Sequence, residues 1–345
     1  MPTCTLHPLP YQPDPAAYFA HLRQAPGAIL LDSARPGAER GRFDLLSAWP
    51  LQQLQAQPDE DGRVFLQRLR AGLAQLGHAD LPNGVELPFA GGLIGYLSYD
   101  FGRRLEHLPS LAVDDLGLPD AQLGLYAWAL VSDHLLGTSQ LVFHPSLADD
   151  ERQRLIRLFQ DTTTTTGDFR LLAPMVGDLE PEQYKTAFDQ VQRYIQAGDC
   201  YQINLTQRFR APCQGDPWRA YQALRQACPT PFSGYQQLAD GSTLLSFSPE
   251  RFIRVSQGQV ETRPIKGTRP RASDPAEDQR NAQELLHSPK DRSENLMIVD
   301  LLRNDLGRTC EIGSVKVPEL FSLESYPNVH HLVSSITGQL ASDKD

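Results

Sequence analysis

The sequence has no long apolar run. No window approaches the about 18 consecutive apolar residues that a membrane-spanning helix requires, which excludes a helical membrane protein. The N-terminal segment MPTCTLHPLPYQPDP has neither the basic stretch nor the apolar stretch of a secretion signal, so we expect a cytoplasmic protein. Its 345 residues, 40% hydrophobic and 21% charged, exclude general disorder and suffice for one large domain or two medium ones.

Cysteine and positive charge are also scarce. The 5 cysteines are odd in number, widely spaced and without a CxxC pair, which disfavours a disulfide framework and a structural zinc site. With 32 Lys+Arg against 42 Asp+Glu, the net charge of −10 disfavours nucleic acid and anionic membrane as partners. No Walker A loop, GxGxxG segment or internal repeat occurs. An anionic small molecule would therefore need a local basic pocket.

In the first half, helical and strand patterns alternate, which predicts an α+β fold. Apolar residues at helical spacing follow Asp61-Gly62, and ERQRLIRLFQ (151–160) predicts a second helix. GGLIGYLSYDFG (91–102) and LGLYAWALVSD (123–133) are typical of buried strands. The polar run DTTTTTG (161–167) predicts a surface connection. The predicted organisation is an N-terminal region at 1–160, a linker at 161–177 and a second region at 178–345.

The second half has sharper local signals. A helix is predicted from Glu180-Pro181 to Gly198. CYQINLTQRF (200–209) alternates apolar and polar residues, as a half-buried strand does, with Gln202 away from the apolar face. Four segments between 232 and 264, separated by turn residues, predict an antiparallel meander. The remaining predicted elements are helices beginning after Asp274 and near Ser288-Pro289, and a last strand over 329–340.

Four cations lie within nine residues of this acidic protein, namely Arg263, Lys266, Arg269 and Arg271. Partial desolvation of Lys266, between Ile265 and Gly267, would favour the neutral amine, which is the nucleophilic form. Gly267 would let a ligand approach the backbone closely. The alternative is an exposed basic loop.

Glu250 and Lys266 are separated by one predicted hairpin, whose two ends can return to the same sheet edge. Such a carboxyl and lysine can act as general acid and nucleophile. They can equally form a surface ion pair.

Glu294 lies on a predicted helix with Ile298 and Leu301 on the same face, which we expect to point inward. A buried carboxylate must be paired, protonated or bound to a cation, and magnesium suits this position. The alternative is a charge favoured by the start of the helix. His330 and His331 alternate across the last strand, so only one can face a given pocket.

At this level of detail the sequence resembles the chorismate-utilising enzymes, the family that includes the large subunits of anthranilate synthase and aminodeoxychorismate synthase. The resemblance covers nearly the whole chain. Its strongest blocks are GDCYQINLTQRF (198–209), SFSPERF (246–252), RPIKGTRPR (263–271), ENLMIVDLLRNDLGR (294–308) and YPNVHHLVSSITGQL (326–340). The family fold that the resemblance implies is α+β, with a large antiparallel β-sandwich-like core and outer helices.

Two positions separate the branches of this family. Members that add water to chorismate carry a lysine where this chain has Gln202, and ammonia-using members carry glutamine there. Anthranilate synthases have alanine in a PIAGT motif, whereas aminodeoxychorismate synthases have lysine in PIKGT, as here with Lys266. The resemblance therefore implies amination of chorismate to 4-amino-4-deoxychorismate, for p-aminobenzoate and folate synthesis.

The resemblance also implies the site residues. Lys266 would attack the ring at C2 while Glu250 protonates the departing C4 hydroxyl, and ammonia would then displace the lysine. Glu294 would hold Mg²⁺. Gly267, Thr268, His331 and Gln202 match substrate positions. Ammonia would come from a separate glutamine amidotransferase subunit, because the chain has no glutaminase motif.

Two N-terminal segments and one later segment resemble a tryptophan pocket of this family. They are LLDS (30–33), GRFD (41–44) and TPFSGY (230–235). The matching positions are Ser33, Arg42, Phe43, Pro231, Phe232 and Ser233. We expect L-tryptophan binding there, without assigning regulation.

The family pattern continues past the last block through a GGSITGAPK-like segment, a substrate-binding arginine and a second acidic metal motif. Relative to that pattern the chain is C-terminally truncated, so we expect it to be inactive alone. The alternatives are an anthranilate synthase large subunit and a non-catalytic remnant of the family that binds tryptophan or the amidotransferase.

Overall fold

The structure is a computed structural model that describes residues 2–34, 41–160 and 167–344. Three of its helices begin after a residue whose side chain caps them. The side chain of Asp61 accepts a hydrogen bond from the Arg63 N–H at 2.8 Å, and Ser288 and Asp274 cap two later helices in the same way. Gly198, with φ +80°, ends another. The helices are α1 (Ala16–Phe19), α2 (Gly62–Leu76), α3 (Asp149–Leu158), α4 (Pro181–Ala197), α5 (Pro217–Ala227), α6 (Pro275–His287) and α7 (Pro289–Gly307). The helices predicted from the sequence are confirmed.

A seven-stranded antiparallel sheet draws its strands from both halves of the chain. In spatial order they are β1 (Thr5–Leu9), β8 (Thr138–Phe143), β7 (Trp128–Asp133), β3 (Phe43–Ser47), β2 (Ile29–Asp32), β13 (Phe232–Gln237) and β14 (Thr243–Ser248). A three-stranded sheet, β4 (Gln52–Gln55), β6 (Ala121–Tyr126) and β5 (Gly92–Leu97), carries α2. The two sheets share an apolar core that contains Ile29, Val131, Ile94 and Tyr126.

A five-stranded antiparallel sheet carries α6 and α7 on its surface. Its strands are β15 (Arg254–Ser256), β16 (Gln259–Thr262), β19 (Val329–Gln339), β17 (Ile265–Pro270) and β18 (Lys316–Ser325), the last of which also pairs with β19. Val299 and Leu306 of α7 pack with Val260 and Ile336 of the sheet. Antiparallel sheets covered by helices confirm the predicted α+β fold class.

The chain divides into two compact units, one of residues 1–164 with 224–345 and one of residues 165–223. The second unit contains α4, the beginning of α5 and two small sheets. These sheets pair β10 (Val176–Gly177) with β11 (Phe209–Arg210) and β9 (Phe169–Leu171) with β12 (Cys213–Gly215). The domain boundaries inferred from the sequence stay a prediction, and positions 161–166 of the predicted linker lie outside the described residues.

Two strand predictions in the first half need correction. The strand predicted over 91–102 ends at Leu97, and Tyr99–Arg104 forms a 3₁₀ helix in which Phe101 is buried and Tyr99 is 97% exposed. The run 123–133 breaks at Ala127 into β6 and β7, which belong to different sheets. Hydrophobic periodicity marks apolar residues, but it does not mark the point where a chain changes sheets.

Two predictions in the second half are also wrong in part. Only Phe209 of the strand predicted over 200–209 is in a strand, and Tyr201 and Ile203 are exposed while Gln202 is half-buried. A strand forms only where a neighbour pairs with its backbone, which alternation does not supply. The predicted meander is two hairpins, β13–β14 and β15–β16, in different sheets.

No helix in the described ranges is long and apolar enough to cross a bilayer.

Candidate active site

Lys266 lies in a β-bulge of the five-stranded sheet. In the pairing of β17 with β19, Ile265 is opposite Val333 and Thr268 is opposite His331, so three steps along β17 match two along β19. Gly267 has φ +93°, a conformation that residues with a Cβ rarely adopt. A bulge re-aims side chains and is common beside active sites. Lys266 is therefore outside the regular alternation of its strand.

The neighbouring arginines are engaged in ion pairs. Arg263 contacts Glu324 at 2.5 Å, Arg269 contacts Glu284 and Asp291, and Arg271 contacts Asp278. The side chain of Lys266, which is half-buried, makes no hydrogen bond or ion pair with the residues that the structure describes. The segment is thus a paired strand rather than a basic loop, and its lysine is the cation left available for other chemistry.

Glu250 approaches this bulge from the segment between β14 and β15. Its Oε1 accepts a hydrogen bond of 2.8 Å from the backbone N–H of Ile265, the residue before Lys266. Because β14 and β15 belong to different sheets, the chain reaches this position by crossing between sheets. The element between Glu250 and Lys266 is one hairpin, β15–β16, as predicted, and it returns the chain so that Glu250 contacts the residue before Lys266.

Thr268 and His331 are joined across β17 and β19. The Thr268 hydroxyl and His331 Nδ1 are 2.9 Å apart. Burial lowers the pKa of His331, against the opposing effect of a hydrogen bond to the Gly267 backbone and of the Glu324 and Glu250 carboxylates. The lowered pKa favours the uncharged imidazole. His330 bonds instead to Ser325 and, at 3.0 Å, to Asp278, so the two histidines face different surroundings, as predicted.

Glu294 is half-buried on α7. The face of α7 that packs against the protein differs from the face predicted to point inward, which carried Ile298 and Leu301. Leu301, expected on that inward face, is 53% exposed. The buried residues of this helix are Asp291, Asn295, Val299 and Leu306. Asn295 sets this rotation because it donates to the Leu332 carbonyl at 3.2 Å and accepts from Ser334 at 2.6 Å.

No group of three or more His, Cys, Asp or Glu residues that could hold a metal occurs in the described part of the chain. Magnesium is commonly held by one or two carboxylates together with ligand oxygens and water. The single carboxylate of Glu294 fits that requirement as one protein ligand.

The three segments of the tryptophan-type pocket meet on adjacent strands. Strand β2 lies between β3 and β13, and Ser233 is opposite Asp32. Ser33 is buried and donates from both its N–H and its hydroxyl to Asp44 Oδ1 at 2.7 Å. The Arg42 guanidinium lies 4.6 Å from the centroid of the Phe43 ring. Pro231 is buried and Phe232 is 39% exposed.

An ion pair lies directly beside these segments. Arg225 donates to both carboxylate oxygens of Asp32, at 2.5 and 3.1 Å, and both residues are buried. Such a bidentate pair fixes the end of β2, and with it the position of Ser33.

Gln202 belongs to the second unit, and its closeness to Lys266 stays a prediction. The side chains of Leu285 and Asp291 lie against the position that a Cβ on Gly267 would occupy. Its contact with substrate also stays a prediction.

Sequence reasoning missed two buried carboxylates beside the bulge, Asp291 and Glu324. The sequence does contain a pattern that points to Asp291, because this carboxylate lies in the first turn of the helix predicted near Pro289, one turn before Glu294. Glu324 is held by Arg263 and, at 2.9 Å, by the Tyr326 hydroxyl.

The profile of the chorismate binding enzyme family matches residues 27–345. The chain belongs to this family. Chorismate binding enzymes similar to it include aminodeoxychorismate synthase component 1 of Klebsiella aerogenes, which is 44% identical over 96% of this chain and 75% of the relative. Anthranilate synthase component 1 of Thermus thermophilus is 35% identical over 95% of this chain and 73% of the relative.

A solved chorismate-family structure has the same fold. Anthranilate synthase component I from Streptococcus pneumoniae TIGR4 superposes with a TM-score of 0.71 at 26% identity, over 88% of this chain and 70% of that chain. The fold predicted by resemblance to this family is confirmed.

Proposed function

We propose that this chain is component 1 of an aminodeoxychorismate synthase, which converts chorismate and ammonia to 4-amino-4-deoxychorismate. Identity of 44% to an aminodeoxychorismate synthase component 1, against 35% to an anthranilate synthase component 1, supports this branch of the family. The observation that carries the proposal is Lys266 in the β17 bulge, because alanine at this motif position is the anthranilate synthase pattern. The product would feed p-aminobenzoate and folate synthesis in the cytoplasm.

In the proposed reaction, Lys266 is the nucleophile and Glu250 the general acid. The neutral amine forms a bond to ring carbon C2, the double bonds shift, and the C4–O bond breaks as Glu250 gives its proton to the departing hydroxyl, releasing water. Ammonia then bonds to C4, the double bonds shift back, and the C2–N bond breaks to free Lys266. The proton lost by the attacking ammonia returns to the carboxylate.

Thr268 and His331 support the same site in this proposal. Burial lowers the pKa of His331 and so favours its uncharged form. Its hydrogen bond to Thr268 fixes both side chains beside the bulge and adds little positive charge to the site. A glutamine amidotransferase subunit would supply ammonia, and Gln202 would lie beside the ammonia and substrate. Glu294 would hold Mg²⁺, which neutralises a substrate carboxylate and draws electron density from the ring when bound.

The product distinguishes the branches. The protein that contains these residues, given chorismate, Mg²⁺ and ammonium, should form non-aromatic 4-amino-4-deoxychorismate, identified by chromatography with mass detection. Aromatic anthranilate as the product would instead assign the chain to the anthranilate synthase branch. Binding of tryptophan without either product would favour a non-catalytic relative.

We also propose an L-tryptophan site formed by the ends of β2, β3 and β13, because Ser33 directly follows β2, and Phe43 and Ser233 lie on the two strands that pair with β2. Phe232→Ala should weaken L-tryptophan binding about tenfold, or about 1.4 kcal/mol, since it removes an aromatic wall. Isothermal titration calorimetry measures the change. Phe252→Ala, at an exposed aromatic before β15, is the matched control. Equal affinities of the two variants would place tryptophan elsewhere.

A further inference from the structure

We propose that Asp291 is a positioning residue for Lys266, fixing the β17 bulge against the first turn of α7. The expected effect of Asp291 on the reaction rate rests on the proposed function. Its expected effect on the backbone of β17 rests only on the contacts that Asp291 makes. Asp291 does not need to touch substrate in this role. It acts through Gly267 and Arg269, the residues that follow Lys266 in the strand.

The first contact is with Gly267. A Cβ built on this glycine would lie 2.9 Å from Asp291 Cβ, 2.9 Å from Leu285 Cδ1 and 3.1 Å from Asp291 Cγ. The side chains of α6 and α7 therefore fill the space against the Gly267 Cα. Because Gly267 has φ +93°, the bulge conformation depends on this surface as well as on the absence of a side chain.

The second contact is with Arg269, whose guanidinium joins three elements. Its Nη2 donates to Asp291 Oδ2 at 3.1 Å, its Nε to Glu284 Oε1 at 2.8 Å, and its Nη1 to the Thr268 carbonyl at 2.9 Å. The Glu284 side chain is 66% exposed, whereas that of Asp291 is only 10% exposed. Solvent weakens the first ion pair far more than the second, so Asp291 is the stronger restraint on the strand.

The third observation is the position of Asp291 in α7. Its N–H donates to the Ser288 hydroxyl that caps this helix, and Glu294 follows one turn later. A helix turn is rigid compared with a loop. Asp291 thereby sets the β17 backbone around Lys266 in a fixed relation to the helix that carries Glu294. A shift of about 1 Å in a reacting group can cost about 100-fold in rate, so this restraint matters for the attack by Lys266.

The test compares Asp291→Asn with Glu284→Gln, which alters the exposed carboxylate on the same arginine. In the protein that contains this chain, we expect Asp291→Asn to lower kcat about 10-fold to 100-fold while KM for chorismate changes less than about twofold. Glu284→Gln should keep kcat within about twofold. Hydrogen exchange measured by mass spectrometry should rise over residues 263–271 in Asp291→Asn and stay unchanged over β16.

A double variant, Asp291→Asn with Arg269→Gln, separates positioning from the cost of an unpaired charge. We expect it to recover thermal stability without recovering kcat. Recovery of kcat, an unchanged kcat in Asp291→Asn, or a rise in KM alone would each overturn the proposal. If the wild-type protein forms no 4-amino-4-deoxychorismate, the proposed function fails, and the exchange over 263–271 still decides whether Asp291 holds the bulge.

Discussion

Replacing Lys266 by alanine should lower formation of 4-amino-4-deoxychorismate by about 10² or more, as expected when a nucleophile is lost. The fold should survive, because the side chain of Lys266 makes no hydrogen bond or ion pair with any residue in 2–34, 41–160 or 167–344. Some product can still form if ammonia attacks chorismate directly in a site that orients it. The loss should therefore be large in kcat and incomplete.

The covalent step gives this prediction a second readout. Wild-type protein quenched after mixing with chorismate in the absence of ammonia should carry an adduct on Lys266, detected by mass spectrometry of its peptides. Lys266→Ala should carry none. Lys290→Ala, at an exposed lysine in the first turn of α7, is the matched control and should behave as the wild type. Wild-type turnover by Lys266→Ala would refute the covalent role.

Replacing Glu294 by glutamine should remove most activity at ordinary magnesium concentrations. An amide oxygen is an uncharged and weaker ligand, and disturbing a metal site commonly costs about 10-fold to 100-fold even when only the surroundings of the ligands change. Raising the magnesium concentration should restore part of the rate. The measurement is initial rate as a function of magnesium, with circular dichroism to check that α7 is intact.

Asp300→Asn is the control for this substitution, because Asp300 lies on the same helix, is exposed and pairs with Arg303 one turn away, at 3.1 Å. It should leave the magnesium dependence unchanged. If Glu294→Gln also leaves that dependence unchanged, Glu294 acts in helix packing or helix electrostatics instead of metal binding.

Helix ends could be predicted from the sequence, because the residues that determine them are local. Asp274, Ser288 and Gly198 cap helices with groups that lie within a turn. Strand partners could not be predicted in the same way. The run 123–133 is mostly apolar on both sides of Ala127, yet its first part pairs with β4 and β5 and its second part with β3 and β8. That choice depends on segments far away in sequence.

In the candidate site too, the parts that depend on neighbouring residues could be predicted, and the parts that depend on distant segments could not. Residue type and spacing suggested Lys266 with Glu250, and the Ile265 N–H is bonded to Glu250. The inward face of α7 was predicted wrongly, because a buried hydrogen bond between Asn295 and Ser334 orients this helix. The spacing of apolar residues does not reveal a buried polar contact of this kind. The link from Asp291 to Arg269 needed the relative rotation of a helix and a strand, which only the folded structure provides.

The seven-stranded sheet has a consequence for the order of synthesis. Strand β2 pairs with β13, with Asp32 opposite Ser233, although these residues are 201 positions apart in the chain. At translation rates of about 5 to 20 residues per second, the ribosome needs roughly 10 to 40 s to supply the partner of β2. Until then β2 is an open sheet edge that can pair with other chains. The nascent protein is therefore most exposed to aggregation during this interval, and slower elongation between residues 32 and 233 would lengthen it.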